Sequence, residues 1–325
     1  MADSSAEAPL QGLAGDRATI VLFGDSLTQR GWGQSGWCAA VASHFVRQAD
    51  VYNRGYGGYN TRYGLYLAPY LFPLSEQPST PTPKHLLATV WFGANDAAAV
   101  SEGCHVPMDE YEANLRAIVS RAMRASLCVV VLTPPPVHEA SRLRFQRAKY
   151  GDKATGVSER STETAGRYAA AAARVAASLG VPCLDVHGLM LAEGGGAAWP
   201  AFVGADDAEH GDGLHLSASG QRFVGDCLLR LLADAGLDPA SLPTELPLGS
   251  AVDPGNFVAS MLEHQRLARA SSAGSRGHGR LKGPAASFAE ATFPPLGWFA
   301  LGVAVAVLAM RSTSARAARV LARAE

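Results

Sequence analysis

The sequence predicts an α/β fold: a three-layer, flavodoxin-like, doubly wound parallel sheet of five strands. Three observations predict it. Short apolar runs rich in β-type residues alternate with longer stretches of helical spacing from residue 18 onward. Such alternation demands a parallel sheet covered on both faces, joined by right-handed crossovers. Two of the apolar runs end in glycine followed by polar residues, "FGDS" and "FGAND". In open α/β sheets, binding sites form beyond the carboxyl ends of strands, so those endings mark one rim as the place for chemistry.

Each element has its own justification. "ATIVLFG" (18–24) is a continuous apolar run, the mark of a strand buried on both faces. "SGWCAAVASHFVRQ" (35–48) repeats Trp37, Val41 and Phe45 four apart, one stripe of a helix. "ADVYNRG" (49–55) is a short second strand and "HLLATVWFGAND" (85–96) contains a third. "MDEYEANLRAIVSRAMRAS" (108–126) is amphipathic, with acids in its first turn and arginine in its last, as the helix dipole favours. "LCVVVLTPPP" (127–136) is a fourth strand stopped by prolines. "SERSTETAGRYAAAAARVAASLG" (158–180) is a helix closed by Gly180, and "VPCLDVHGL" (181–189) a fifth strand. "SASGQRFVGDCLLRLLADAG" (217–236) is a last helix with Ser217 as its N-cap.

Composition bounds the rest. With 325 residues, the chain holds one large domain plus appendages. A net charge of −1 argues against a nucleic-acid partner, which needs a basic face. Five cysteines in no framework or zinc spacing point to a reducing compartment. Residues 1–17 lack a basic and an apolar region of the secretory type and read as a disordered leader, so a cytoplasmic body is expected. Residues 18–250 form the folded domain. Residues 136–157 are a charged insertion, either a lid or a solvated loop. Residues 251–290 read as a flexible basic linker. Residues 291–310 carry no charge, and such a length falls in the spanning range of roughly 17–25. They are expected to anchor the chain to an intracellular membrane, followed by a basic tail, 311–325. A buried core helix is the other reading.

Four segments bring chemical groups to the predicted rim. "FGDSLT" supplies the hydroxyl of Ser26, "NRGYGGYNTR" (53–62) a glycine-rich bend, "FGAND" the amide of Asn95, and "GDGLHLS" (211–217) Asp212 and His215. A serine hydroxyl needs a base, and an imidazole is one near neutral pH. A carboxylate fixes the tautomer of that imidazole. Acyl transfer also needs donors for a developing oxyanion, and the N–H groups of Gly58 and Ser26 and the Asn95 side chain can supply them. Each part has a plainer reading. Asp25 is a turn acid. Asn95 or Asp96 can cap the stretch that follows. Asp212 and His215 can form a surface turn. His210 is a rival imidazole in an acidic loop, which lacks a compact cation-binding spacing, so no metal or other cofactor is expected. Tyr56, Tyr59, Trp91 and Phe92 wall a pocket or fill the core.

The four blocks, in this order, resemble the SGNH (GDSL) hydrolases, and with "LTPPPVHE" (132–139) they are most similar to the isoamyl-acetate-hydrolysing esterase branch. The resemblance covers residues 18–235. It implies a serine esterase with Ser26 as nucleophile, Asp212 and His215 completing a triad, and Gly58 and Asn95 joining Ser26 in an oxyanion hole. Gly58 is five residues beyond Asn53, with Gly57 beside it. The implied partner is a small-molecule ester of short, acetate type. A carbohydrate acetylester and a lysophospholipid are the alternatives, and a membrane-tethered binding module without turnover is the non-enzymatic one. The sequence sets no oligomeric state.

Overall fold

The computed structural model describes residues 17–33, 35–74, 85–205, 211–242 and 244–275, all within one compact unit, Met1–Gly283. The elements run β1 (Ala18–Gly24), α1 (Ser26–Gln29), α2 (Trp37–His44), β2 (Ala49–Gly55), α3 (Thr61–Leu71), β3 (His85–Trp91), α4 (Met108–Ala125), β4 (Ser126–Leu132), α5 (Glu139–Tyr150), α6 (Thr162–Leu179), β5 (Cys183–Leu184), α7 (Val186–Ala192), α8 (Trp199–Phe202), α9 (Ala218–Asp234) and α10 (Phe257–Ser275). The five strands are parallel in the order β2-β1-β3-β4-β5, the doubly wound arrangement the sequence predicts. The order reverses direction at β1, so the crevice beyond the ends of β1 and β3 is the topological switch point.

Alternation along the strands builds two cores. Ile20 and Leu22 of β1 pack on one face with Trp37, Val41 and Phe45 of the α2 segment. Val21 and Phe23 pack on the other with Leu115 and Ile118 of α4. All four β1 side chains are almost wholly buried. Burial of a side chain of this size is worth about 1.5–3 kcal/mol. The central strand is thus fixed from both sides, and its carboxyl end is a rigid platform.

Three segments differ from expectation. The fifth strand is only two residues long, because the Asp185 side chain accepts from Gly188 N–H and turns 186–192 into α7. Most of the charged insertion 136–157 is α5, capped by His138, whose side chain accepts from Ser141 N–H. The stretch expected as linker from 251 includes α10. α3, not foreseen, starts where Asn60 accepts from Arg62 and Tyr63 N–H. Among the described residues no helix is long and apolar enough to cross a membrane. The expected anchor 291–310, the tail 311–325 and residues 1–16 of the leader lie outside the described residues.

Candidate active site

β1 ends at Gly24, and Asp25 then caps the short α1 by accepting from Leu27 N–H through Oδ1 at 2.9 Å. Ser26 is therefore the first helical residue, and its own N–H is one of the orphan donors of a helix start. The turn reading of Asp25 and a functional reading of Ser26 are compatible: the acid holds the bend that presents the hydroxyl.

The loop before α9 brings an imidazole to that hydroxyl. Ser26 Oγ lies 2.8 Å from His215 Nε2, a contact between residues 189 positions apart. On its other side, His215 Nδ1 lies 2.5 Å from Asp212 Oδ2. Asp212 Oδ1 accepts from the backbone N–H groups of Leu214 at 3.0 Å and His215 at 2.8 Å. Burial raises the pKa of Asp212, but the hydrogen bond and charge of His215 and the two backbone donors outweigh it and hold the carboxyl well below the usual carboxylate range. An ionised Asp212 takes the Nδ1 proton as its partner, which leaves the Nε2 lone pair facing Ser26. The plain surface-turn reading of these two residues fails: Asp212 is buried, and the His215 side chain is only 17% exposed.

The glycine-rich bend lies beside them. Gly57 N–H donates to Gln29 Oε1 at 2.6 Å. The Gly58 N–H has no acceptor among the described residues, and Gly58 adopts φ +81°, a conformation that favours glycine. Asn95 Nδ2 donates to Tyr59 O at 2.8 Å, and Asn95 Oδ1 accepts from Arg160 Nη2 at 3.1 Å. Asp96 instead turns inward, where its Oδ1 accepts from Thr61 N–H and the Thr61 hydroxyl. Burial pushes the Asp96 pKa up to about 6 against those bonds, and burial pushes Asp25 up to about 7 against its bond to Leu27.

The four aromatic residues divide. Trp91 and Phe92 are core, each in a different cluster. Tyr59 is exposed at the rim and stacks on Tyr56 with ring centroids 5.4 Å apart. His210 and the acids Asp206, Asp207 and Glu209 lie outside the described residues. Among the described residues, no group of three His, Cys, Asp or Glu side chains is placed to hold a metal ion. Sequence reasoning missed Arg142, Glu159 and Arg160. Arg142 contacts Asp212 and Arg160 contacts Asn95. Nothing in "ASRLRFQRAKY" separates the buried Arg142 from its exposed neighbours, because charge alone does not reveal a buried partner.

The model of the GDSL-like lipase/acylhydrolase family matches residues 22–223. A GDSL esterase/lipase of Arabidopsis thaliana is 38% identical over 249 residues, covering 74% of this chain and 96% of that one. The isoamyl acetate-hydrolyzing esterase 1 homolog of Bos taurus is 35% identical over 233 residues, covering 70% of this chain and 85% of that one. Among solved structures, a lipase/acylhydrolase from Enterococcus faecalis aligns with TM-score 0.48 at 21% identity, over 70% of this chain and 98% of that one.

Proposed function

The chain belongs to the GDSL-like lipase/acylhydrolase family and is a carboxylic ester hydrolase, and from that premise we propose that it cleaves short-chain, acetate-type esters through Ser26, His215 and Asp212. One observation carries the reading: the 2.8 Å contact between Ser26 Oγ and His215 Nε2, continued to Asp212. In this mechanism His215 Nε2 takes the Ser26 proton as Oγ attacks the ester carbonyl. The Asp212 carboxylate holds Nδ1–H and stabilises the imidazolium that forms. The oxyanion accepts from Gly58 N–H, Ser26 N–H and the second Nδ2–H of Asn95, the first being bonded to Tyr59 O. Imidazolium Nε2–H protonates the leaving alkoxide, which departs as alcohol. Water, deprotonated by His215, then attacks the acyl-enzyme and restores the Ser26 hydroxyl with release of the acid.

The acetate-type preference draws support from the name of the bovine relative, and a carbohydrate acetylester and a lysophospholipid are the alternative substrates. Initial rates on p-nitrophenyl esters of rising acyl length separate these substrates, and a preference for long chains would favour the lipid. Replacement of Ser26 by alanine is expected to leave the fold intact, to reduce turnover by a factor on the order of 10⁴ or more, and to abolish labelling by a fluorophosphonate probe. Turnover and labelling at the unaltered level in that variant remove Ser26 from the mechanism. Attachment to a membrane through residues 291–310 is part of the same proposal and rests on the uncharged stretch alone.

A further inference from the structure

A chain of buried charges runs behind the site, from the amide of Asn95 to the carboxylate of Asp212. Arg160 Nη2 donates to Asn95 Oδ1 at 3.1 Å, its Nε to Ala94 O at 3.0 Å, and its Nη1 to Glu159 Oε1 at 2.9 Å. The same Glu159 oxygen accepts from Arg142 Nε at 2.7 Å and from Arg142 Nη2 at 2.5 Å. Arg142 Nη1 reaches Asp212 Oδ2 at 3.3 Å, the oxygen that also faces His215 Nδ1. The four charged side chains are each about one-tenth exposed or less. The backbone follows the same path: Ala99 N–H donates to Glu159 O, and His138 N–H at the start of α5 donates to Gly213 O, beside Asp212.

We propose that Arg142, Glu159 and Arg160 form an ionic brace that positions the oxyanion amide of Asn95 and the acid Asp212 relative to each other, so that both halves of the ester-cleaving machinery are held by one shared carboxylate. The inference rests on the reading of Ser26, His215 and Asp212 given above.

Two arguments carry it. The first concerns the amide. A guanidinium only donates, and a backbone carbonyl only accepts. With Arg160 on one end and Tyr59 O on the other, the Asn95 side chain has a single satisfied orientation, in which one Nδ2–H remains for the oxyanion. Tyr59 alone fixes one bond; Arg160 fixes the plane. The second concerns charge. A buried ion pair is weak support for stability, since its desolvation cancels much of the attraction. Two arginines and two carboxylates in one network instead supply geometry, because the planar fork of Arg142 fixes Glu159 and Asp212 at once.

The test is steady-state hydrolysis of p-nitrophenyl acetate by the full chain, with circular dichroism and thermal melts as the fold control. Arg160→Met is expected to lower kcat about 10- to 100-fold with KM changed less than about threefold, as small misplacements of catalytic groups do. Arg142→Met is expected to lower kcat in the same way, and Arg142→Lys, which keeps the charge without the planar fork, to recover only part of the loss. Effects of Arg142→Met and Arg160→Met should be non-additive because both act through Glu159. If the methionine variants do not fold, Arg160→Lys and Glu159→Gln decide, each expected to lose about tenfold or more in kcat while folded. Folded Arg160→Met, Arg160→Lys or Arg142→Met protein with the kcat of the unaltered chain overturns the brace. Fluorophosphonate labelling of the unaltered chain separates the two layers: no labelling at Ser26 overturns the nucleophile itself, whereas labelling with indifferent arginine variants overturns the brace alone.

Discussion

Three buried carboxyls near one site face different electrostatic environments. Asp212 has an imidazole and two backbone donors and stays ionised, while Asp25 and Asp96 each keep one oxygen, Oδ2, without a hydrogen-bond partner among the described residues. Burial therefore dominates at Asp25, whose pKa rises from 3.8 to about 7, and at Asp96, which rises to about 6. A carboxyl with a raised folded-state pKa contributes stability that is fully present below its unfolded value near 4 and is lost as pH rises through the folded value. Asp212 acts in the opposite sense, stabilising above the ordinary carboxylate range and losing that contribution as pH falls below it. Between pH 5 and 8 Asp25 and Asp96 therefore lower the melting temperature as pH rises, against the opposite trend of His85 and His187, whose pKa burial holds down. The rise at Asp25 corresponds to on the order of 4 kcal/mol as a ceiling. Asp25→Asn keeps an oxygen for Leu27 N–H and has nothing to ionise. Its melting temperature should depend less on pH across that window, and a slope as steep as that of the unaltered chain would show that Asp25 is not the group responsible.

At the scale of elements, α5 explains both what the sequence concealed and how the site is held. Its buried residues are Ser141, Arg142 and Gln146, so its inward face is polar and no apolar stripe announces a helix. The same face that hides the helix from pattern reading carries Arg142 to Asp212. α5 docks through its first turn, where His138 N–H donates to Gly213 O at 2.8 Å. Gly213 has φ +70°, and a Cβ there would lie 2.3 Å from His138 O and 2.8 Å from Arg142 N. Both are backbone atoms and cannot swing aside. Gly213→Ala should therefore strain the loop between Asp212 and His215 by about 1–3 kcal/mol and push the start of α5 away from it. Lower melting temperature together with slower fluorophosphonate labelling is the expected result. An alanine variant that melts and labels like the unaltered chain would mean that this close approach has no bearing on the site.

Across the whole molecule, the legible parts are those governed by local physics. β1 and β2 fall at residues 18–24 and 49–55 as read from the sequence, and Ser217 caps α9. β5 was overextended because Asp185 takes over the backbone as a helix cap, a competition that an apolar run does not display. Ser26 and His215 meet across 189 positions, and only the order of four short blocks foretold it; Arg142, Glu159 and Arg160 carry no such block. The extent of the catalytic unit is likewise a matter of long-range contact. The segment after α9 folds back on the turn between α2 and β2: Arg47 donates to the carbonyls of Leu246 and Pro247, Gln48 to that of Pro239, and Glu245 pairs with Arg17 ahead of β1. These contacts close the domain near residue 250, and α10 adds the buried Met261. A chain ending at residue 275 thus retains every described element of the site and should hydrolyse p-nitrophenyl acetate at the rate of the full chain. The full chain alone carries the uncharged residues 291–310, of a length that suits the roughly 30 Å apolar core of a bilayer. Expressed in cells and fractionated, the full chain should sediment with membranes and resist extraction by salt or carbonate, while the shorter chain stays in the supernatant. Equal activity with both chains in the supernatant would confine the proposal to the hydrolase and remove the anchor; a shorter chain that is inactive would mean that the catalytic unit extends beyond residue 275.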